Sequence, residues 1–199
     1  MHRFIFVVFV TLLIGGCAVG YDTVRPKFNL ATRAKLAVGV QDLRPYVVSG
    51  KKTETFVGLS RDYFGAPYDV NTLSGAPLAK DMRTVIAASL KRYGATVIEV
   101  ELKPGSGAAN ARQAVLNVGA DKAVLMTLWE WKSDTFYNVV LHYYVLLMVL
   151  AANGDVLATK SLQGRDNLGL GFARDLVPEA FRRKLEELFS DPAVVKALR

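Results

Sequence analysis

One cysteine, Cys17, and two histidines, His2 and His142, are all the sequence holds of either residue in 199 positions. A lone thiol excludes intrachain disulfides and Cys-rich metal sites, and a single histidine beyond the leader excludes the usual His/Cys zinc sets. A Ser-His-Asp triad would have to use His142. That residue lies in the most apolar stretch of the chain, where a histidine of the core or of a sheet face is the simpler reading. The carboxylates are scattered, with no pair whose spacing argues for shared acid–base work. Glycine also falls short of a nucleotide fingerprint. Gly169-Leu170-Gly171-Phe172-Ala173-Arg174 has Arg174 where the third glycine belongs, and it follows a hairpin strand instead of a βαβ unit. Long apolar runs are missing too. A spanning helix needs roughly 20 residues, whereas residues 4–14 stop at Gly15-Gly16 and residues 139–152 are too few. These absences point away from an enzyme and from any cofactor or metal, and leave binding as the expected mode of action.

What is present begins with the first twenty residues. Arg3 opens a short basic start, residues 4–14 form an apolar run, and Gly15-Gly16-Cys17 follows, the layout of an export signal. Ile14-Gly15-Gly16-Cys17 resembles the lipobox of bacterial lipoproteins. The resemblance implies cleavage before Cys17 and acylation there by diacylglycerol and a palmitate-type chain. Two or more chains give stable membrane anchoring, where one gives only marginal residence. Ala18 in place of Asp after the cysteine resembles the enteric-type signal for the outer membrane, so its inner leaflet is the expected address. The expected organisation is a signal peptide over residues 1–16, a lipidated N-terminus and tether over residues 17–34, and a single periplasmic domain over residues 35–199. Tyr21 to Arg33 reads as that tether, lifting the domain off the bilayer.

The formal charge of +7 falls to +6 once Arg3 leaves with the leader. Such a balance suits anionic head groups or acidic glycans, or simply reflects a basic proteome. Nucleic acid is not an expected partner outside the cytoplasm. Hydrophobic content of 51% supplies a core that needs no disulfides.

Periodicity gives the elements. Leu36, Val38 and Val40 alternate in a first strand over residues 35–41, and a second short strand covers residues 55–59. Residues 60–75 read as an aromatic-rich loop. Leu78, Met82, Val85, Ile86, Leu90 and Tyr93 form one stripe of a helix over residues 77–93, stopped by Gly94. A strand over residues 96–102 follows, then an Ala-rich helix from an N-cap at Ser106 to Val118. Residues 122–132, 139–152 and 155–163 read as three strands of a meander, the last two joined at Asn153-Gly154. Residues 164–171 read as a loop. A helix from about Arg174 to Phe189 comes next, with Glu179/Arg183, Arg182/Glu186 and Arg183/Glu187 as i,i+4 pairs. Asp191-Pro192 then caps a short terminal helix. The fold class is α+β: a mixed β-sheet with a C-terminal antiparallel meander and helices packed on the sheet.

Five residues stand out as a candidate interaction surface: Asp42, Arg44, Arg61, Trp129 and Trp131. Asp42 and Arg44 leave the first strand, where a local ion pair or turn cap is the bland alternative. Trp129 and Trp131, two apart on one strand, are expected to share a face that is either core or an exposed patch.

The lipobox, the Val38-Gly39-Val40-Gln41-Asp42-Leu43-Arg44 strand and then Val57-Gly58 are similar to the opening of the YajG-type bacterial lipoproteins. The helix ending in Tyr93-Gly94 and the closing helix followed by Asp191-Pro192 fit the same pattern. The resemblance covers residues 35–199 and implies an envelope lipoprotein with an α+β domain and no established enzymatic activity. The expected role is a non-catalytic accessory in envelope assembly or maintenance, tied to the membrane through Cys17 and docking an envelope protein. A carrier or sensor of an amphiphilic lipid or acidic glycan is the alternative, and an envelope hydrolase ranks last.

Overall fold

A computed structural model describes residues 20–199, so the leader, Cys17 and the lipobox lie outside the described residues. The remainder is organised on one strand, β5 (Lys122–Thr135). Its first half is apolar at consecutive positions because both faces are covered, the pattern expected of a buried strand. Along one edge it takes two parallel neighbours in succession. β1 (Lys35–Asp42) runs from Leu36 opposite Lys122 to Asp42 opposite Leu128. β2 (Phe56–Arg61) then pairs from Gly58 opposite Ser133 to Ser60 opposite Thr135. A Cβ at Gly58 would lie 2.0 Å from the Ser133 hydroxyl, so only glycine lets β2 close on β5 there. β4 (Thr96–Val100) extends the sheet beside β1 in parallel, and β3 (Pro67–Asn71) extends it beside β2 in antiparallel. The other edge of β5 carries the meander, β6 (Asn138–Ala151) and β7 (Val156–Leu170), turned at Asn153-Gly154 with Gly154 at φ +92°. The α+β mixed sheet with its C-terminal meander is the fold the periodicity predicts.

One face of the sheet is covered by α2 (Leu78–Arg92), α4 (Ala173–Phe189) and α5 (Pro192–Leu198). Leu78, Met82, Ile86 and Leu90 of α2 meet Leu36, Val38, Met126 and Leu128 in the main core, joined by Phe181, Leu185 and Leu188 of α4. Asp191 caps α5 as its sequence predicts, accepting from the Ala193 amide at 2.9 Å. On the other face, α3 (Ala108–Leu116) packs Ala111 and Val115 on Ala37, Ala123 and Leu125. A short α1 (Pro45–Val48) links β1 to β2.

Residues 21–33 are not a tether. Tyr21, Val24, Phe28 and Leu30 are buried in the main core. Phe28 stacks on Phe189 with ring centroids 4.2 Å apart, and its amide donates to the Tyr93 hydroxyl at 2.9 Å. From Val24 to Arg33 buried and exposed residues alternate one by one, so the segment is an extended arm laid across the helices.

Candidate functional site

Asp42 and Arg44 do not form a surface. β1 stops opposite Leu128 and β2 starts opposite Ser133, which leaves a gap along β5 with backbone carbonyls short of partners. Arg44 fills it. Its Nε and Nη2 donate to the Asp42 carboxylate at 2.9 and 2.7 Å, and its Nη1 donates to the carbonyls of Phe56 at 2.6 Å and Trp131 at 3.3 Å. The Tyr46 hydroxyl bonds the same Trp131 carbonyl at 3.2 Å and Glu130 at 2.7 Å. Arg44 is 0% exposed. Burial alone would lower its pKa, but the hydrogen bonds and charge of Asp42 outweigh that and the net direction is upward. The pair is a structural knot tying β1, β2 and β5, the local ion pair of the blander reading.

Trp129 and Trp131 do not share a face either. The β5–β6 register runs Leu128 opposite Val145 and then Glu130 opposite Tyr144, so Trp129 is the extra residue of a β-bulge. The bulge resets the alternation. Trp131 turns inward to 0% exposure, donates Nε1–H to the Tyr21 hydroxyl at 2.9 Å and meets the Phe181 ring edge-on at 5.7 Å. Trp129 turns outward, 40% exposed, and stacks on Tyr144 at 6.3 Å.

Trp129 therefore belongs to the face that α3 covers only in part. Beside it is a cleft of about 280 Å³, walled by Leu43, Leu125, Leu146 and Met148 and floored by Ala108 at the start of α3. Along the same strands lies a shallower hollow of about 460 Å³, lined by Glu130, Lys132, His142, Tyr144, Gln163 and Arg165. His142 is thus a sheet-face residue, half-buried among basic neighbours. Arg61 closes the strand ends with a bidentate bond to Asp134 at 2.8 and 2.7 Å, which holds the Asp134 carboxyl below the ordinary carboxylate range. Of the five expected surface residues, Arg61 and Trp129 reach solvent, and Arg61 is engaged by Asp134. Lys132, Arg165, Leu146 and Met148 also line this face, and nothing in their residue type singles them out. Their signal is alternation: they fall on the opposite face from Leu141, Val145 and Leu147, which fill the core.

No protein-family model and no curated protein matches the chain in sequence. Solved structures are similar to it in shape. XCC0632 from Xanthomonas campestris, a DUF330 protein, superposes with a TM-score of 0.53 at 10% identity, covering 87% of this chain and 90% of that one. PelC from Paraburkholderia phytofirmans, solved as a dodecamer, gives 0.43 at 14% identity over 84% and 94% of the two chains. Lipoprotein GNA1162 from Neisseria meningitidis gives 0.40 at 14% identity over 77% and 99%. With XCC0632 the chain shares its fold, and at that identity the likeness extends no further. Among the described residues no helix is long and apolar enough to cross a membrane.

Proposed function

We propose that this chain is a lipid-anchored envelope protein that works by binding and not by catalysis. Acylated on Cys17 and held at the inner leaflet of the outer membrane, it presents its domain in the periplasm as an accessory of an envelope assembly. The observation that carries the reading is the part of the β5–β7 face that α3 leaves uncovered. A stacked Trp129–Tyr144 pair stands there beside an apolar cleft, next to the cationic groups of Lys132 and Arg165. Large aromatics exposed on a rigid sheet with a polar rim are the ordinary anatomy of a protein-docking surface. The lipobox and the resemblance to YajG-type lipoproteins support the same reading.

The test is site-specific photo-cross-linking in intact cells from the Lys132 position. A defined envelope protein is captured, and Trp129→Ala abolishes the adduct while leaving the folded domain in place. An adduct indifferent to Trp129 sinks the docking surface. The cleft under Trp129 favours one second reading, a carrier of an amphiphile. A stoichiometric lipid or glycan co-purifying with the protein, and no protein adduct, selects it. For the anchor, Cys17→Ser yields a soluble, unlipidated chain; continued fractionation as an integral membrane protein overturns that part.

A further inference from the structure

The sheet register brings three apolar tips to one end of the molecule. The turn between β2 and β3 follows Arg61, and Ser60 sits opposite Thr135, so Tyr63 and Phe64 stand next to the β5–β6 turn with its Phe136 and Tyr137. Asn138 sits opposite Leu170, which places the end of β7 and the Phe172 that follows it at the same end. All of these side chains are exposed, Tyr63 and Phe64 at 90%. The tips are built, not frayed. Asp62 accepts from the amides of Phe64 and Ala66 at 2.9 Å each, fixing the first turn, and the Tyr63 and Phe64 rings meet edge-on at 5.5 Å. The Phe136 and Tyr137 rings lie 4.3 Å apart, and the Arg174 guanidinium sits 5.0 Å over the Phe172 ring. At the opposite end the turn from β6 into β7, Asn153-Gly154-Asp155, is polar and carries no aromatic residue, with Val156 and Leu157 exposed behind it.

The chain enters the domain near the aromatic end. Gly20 and Tyr21 share a small cavity with Ala173 and Arg174, which follow Phe172, and with Val57 and Ser133, set a few residues in from the strand ends. Cys17 is three residues before Gly20, a reach of at most roughly 11 Å. Because the arm from Tyr21 onward is packed into the core, no slack is available further along.

We infer that the aromatic end is a membrane-contact surface: Tyr63, Phe64, Phe136, Tyr137, Leu170 and Phe172 rest in the head-group layer of the phospholipid bilayer that holds the Cys17 lipid. The inference rests on the anchor reading. Tyr63 and Tyr137 are rings with one polar and one apolar end, the kind that concentrates at this depth, while Phe64, Phe136, Leu170 and Phe172 are the exposed apolar surface that needs a cover. Arg174, beside the entry point, is exposed and only loosely paired with Asp175 at 3.8 Å, which leaves its guanidinium able to meet lipid phosphates. Acyl chains and aromatic tips then act as two attachments of one rigid body. The strands stand up from the membrane, the Asn153 turn lies roughly 45 Å out, and the Trp129–Tyr144 face looks sideways along the bilayer.

The chain's only cysteine is the one that is acylated, so a second cysteine gives a unique labelling site. Full-length protein carrying Phe64→Cys, Tyr137→Cys, Phe172→Cys or, as the distal control, Asn153→Cys is labelled with an environment-sensitive fluorophore. Each is reconstituted into vesicles of phosphatidylethanolamine and phosphatidylglycerol containing a head-group nitroxide lipid. Quenching several-fold stronger at the three tips than at Asn153 is the expected result. Equal quenching at tips and control, in protein that floats with the vesicles, overturns the contact surface and leaves the anchor standing. Protein that does not float overturns the anchor reading and this inference with it. Tip signals that depend on protein density and not on the nitroxide lipid also overturn it, and assign the tips to a second copy of the chain.

Discussion

The two faces of β6 differ in what they meet, although the sequence makes both apolar. Val139, Leu141, Val145, Leu147 and Val149 face the helices and are buried, while Val140, His142, Tyr144, Leu146 and Met148 between them are half-buried on the open face. A strand solvated on one side ordinarily carries polar residues there. The neighbouring β7 obeys that rule, with Thr159, Ser161, Gln163 and Arg165 outward. Met148 packs on the second core beneath α3, whereas the remaining apolar surface on the open side, around Trp129, Tyr144 and Leu146, lies outside both cores and is the surface we propose for docking.

That contrast can be broken from the covered side first. Trp131→Ala and Arg44→Ala are each expected to cost about 3–5 kcal/mol, the first by opening a large cavity, the second by leaving Asp42 buried without its counter-charge. Urea unfolding measures both, and a loss below about 1 kcal/mol in either would contradict the described burial. Tyr21→Phe is milder. It removes the acceptor of the buried Trp131 Nε1–H and should cost about 1–3 kcal/mol by the same assay. Trp129→Ala, two residues from Trp131, should change stability by no more than about 0.5 kcal/mol and still eliminate the cross-linked adduct. Equal destabilisation by the two tryptophan substitutions would erase the distinction between the faces.

The smallest effect belongs to the Arg61–Asp134 pair at the strand ends. Asp134 has its pKa lowered in the folded protein, chiefly by the hydrogen bonds from Arg61. Its contribution to stability is therefore complete above the ordinary carboxylate range and is lost as the pH falls through the lowered value. An NMR titration of the Asp134 carboxyl should show its midpoint moving upward in Arg61→Gln. An unchanged midpoint would remove Arg61 as the cause.

Most of the fold could be read from the chain because most elements announce themselves by period. The helix over residues 77–93 and the strand over residues 139–152 match α2 and β6 to within a residue at each end. Misses have local causes. The return strand runs on to Leu170 past Gly164, which reads as a breaker but is there because a Cβ would lie 2.6 Å from the Tyr143 hydroxyl. β3 is a five-residue edge strand hidden in a turn-rich segment. Ser106 does not cap α3; Gly107 holds that position and the Ser106 hydroxyl faces Gln41. The buried arm was legible in the strict alternation of Val24, Pro26, Phe28, Leu30 and Thr32, obscured by its charged partners Arg25, Lys27 and Arg33. The candidate site was legible only in part. A bulge at Trp129 has no signature in residue type, so strict period-two counting puts both tryptophans on one face.

The late position of β5 in the chain governs how the protein can assemble. Synthesis runs from the N-terminus, and β1 can pair with β4 early, but its other edge waits until β5 appears, since Leu36 pairs with Lys122. The buried arm waits longer, as the Tyr21–Trp131 bond joins residues 110 positions apart. By contrast, β5, β6 and β7 are sequential hairpins that close through short loops, and such local contacts form fastest. The meander thus holds the most local pairings of the sheet, and the earlier-made pairs β1–β4 and β2–β3 join it only through β5. Until β5 exists, β1–β4 and β2–β3 are two separate strand pairs, each with one edge that only β5 can complete.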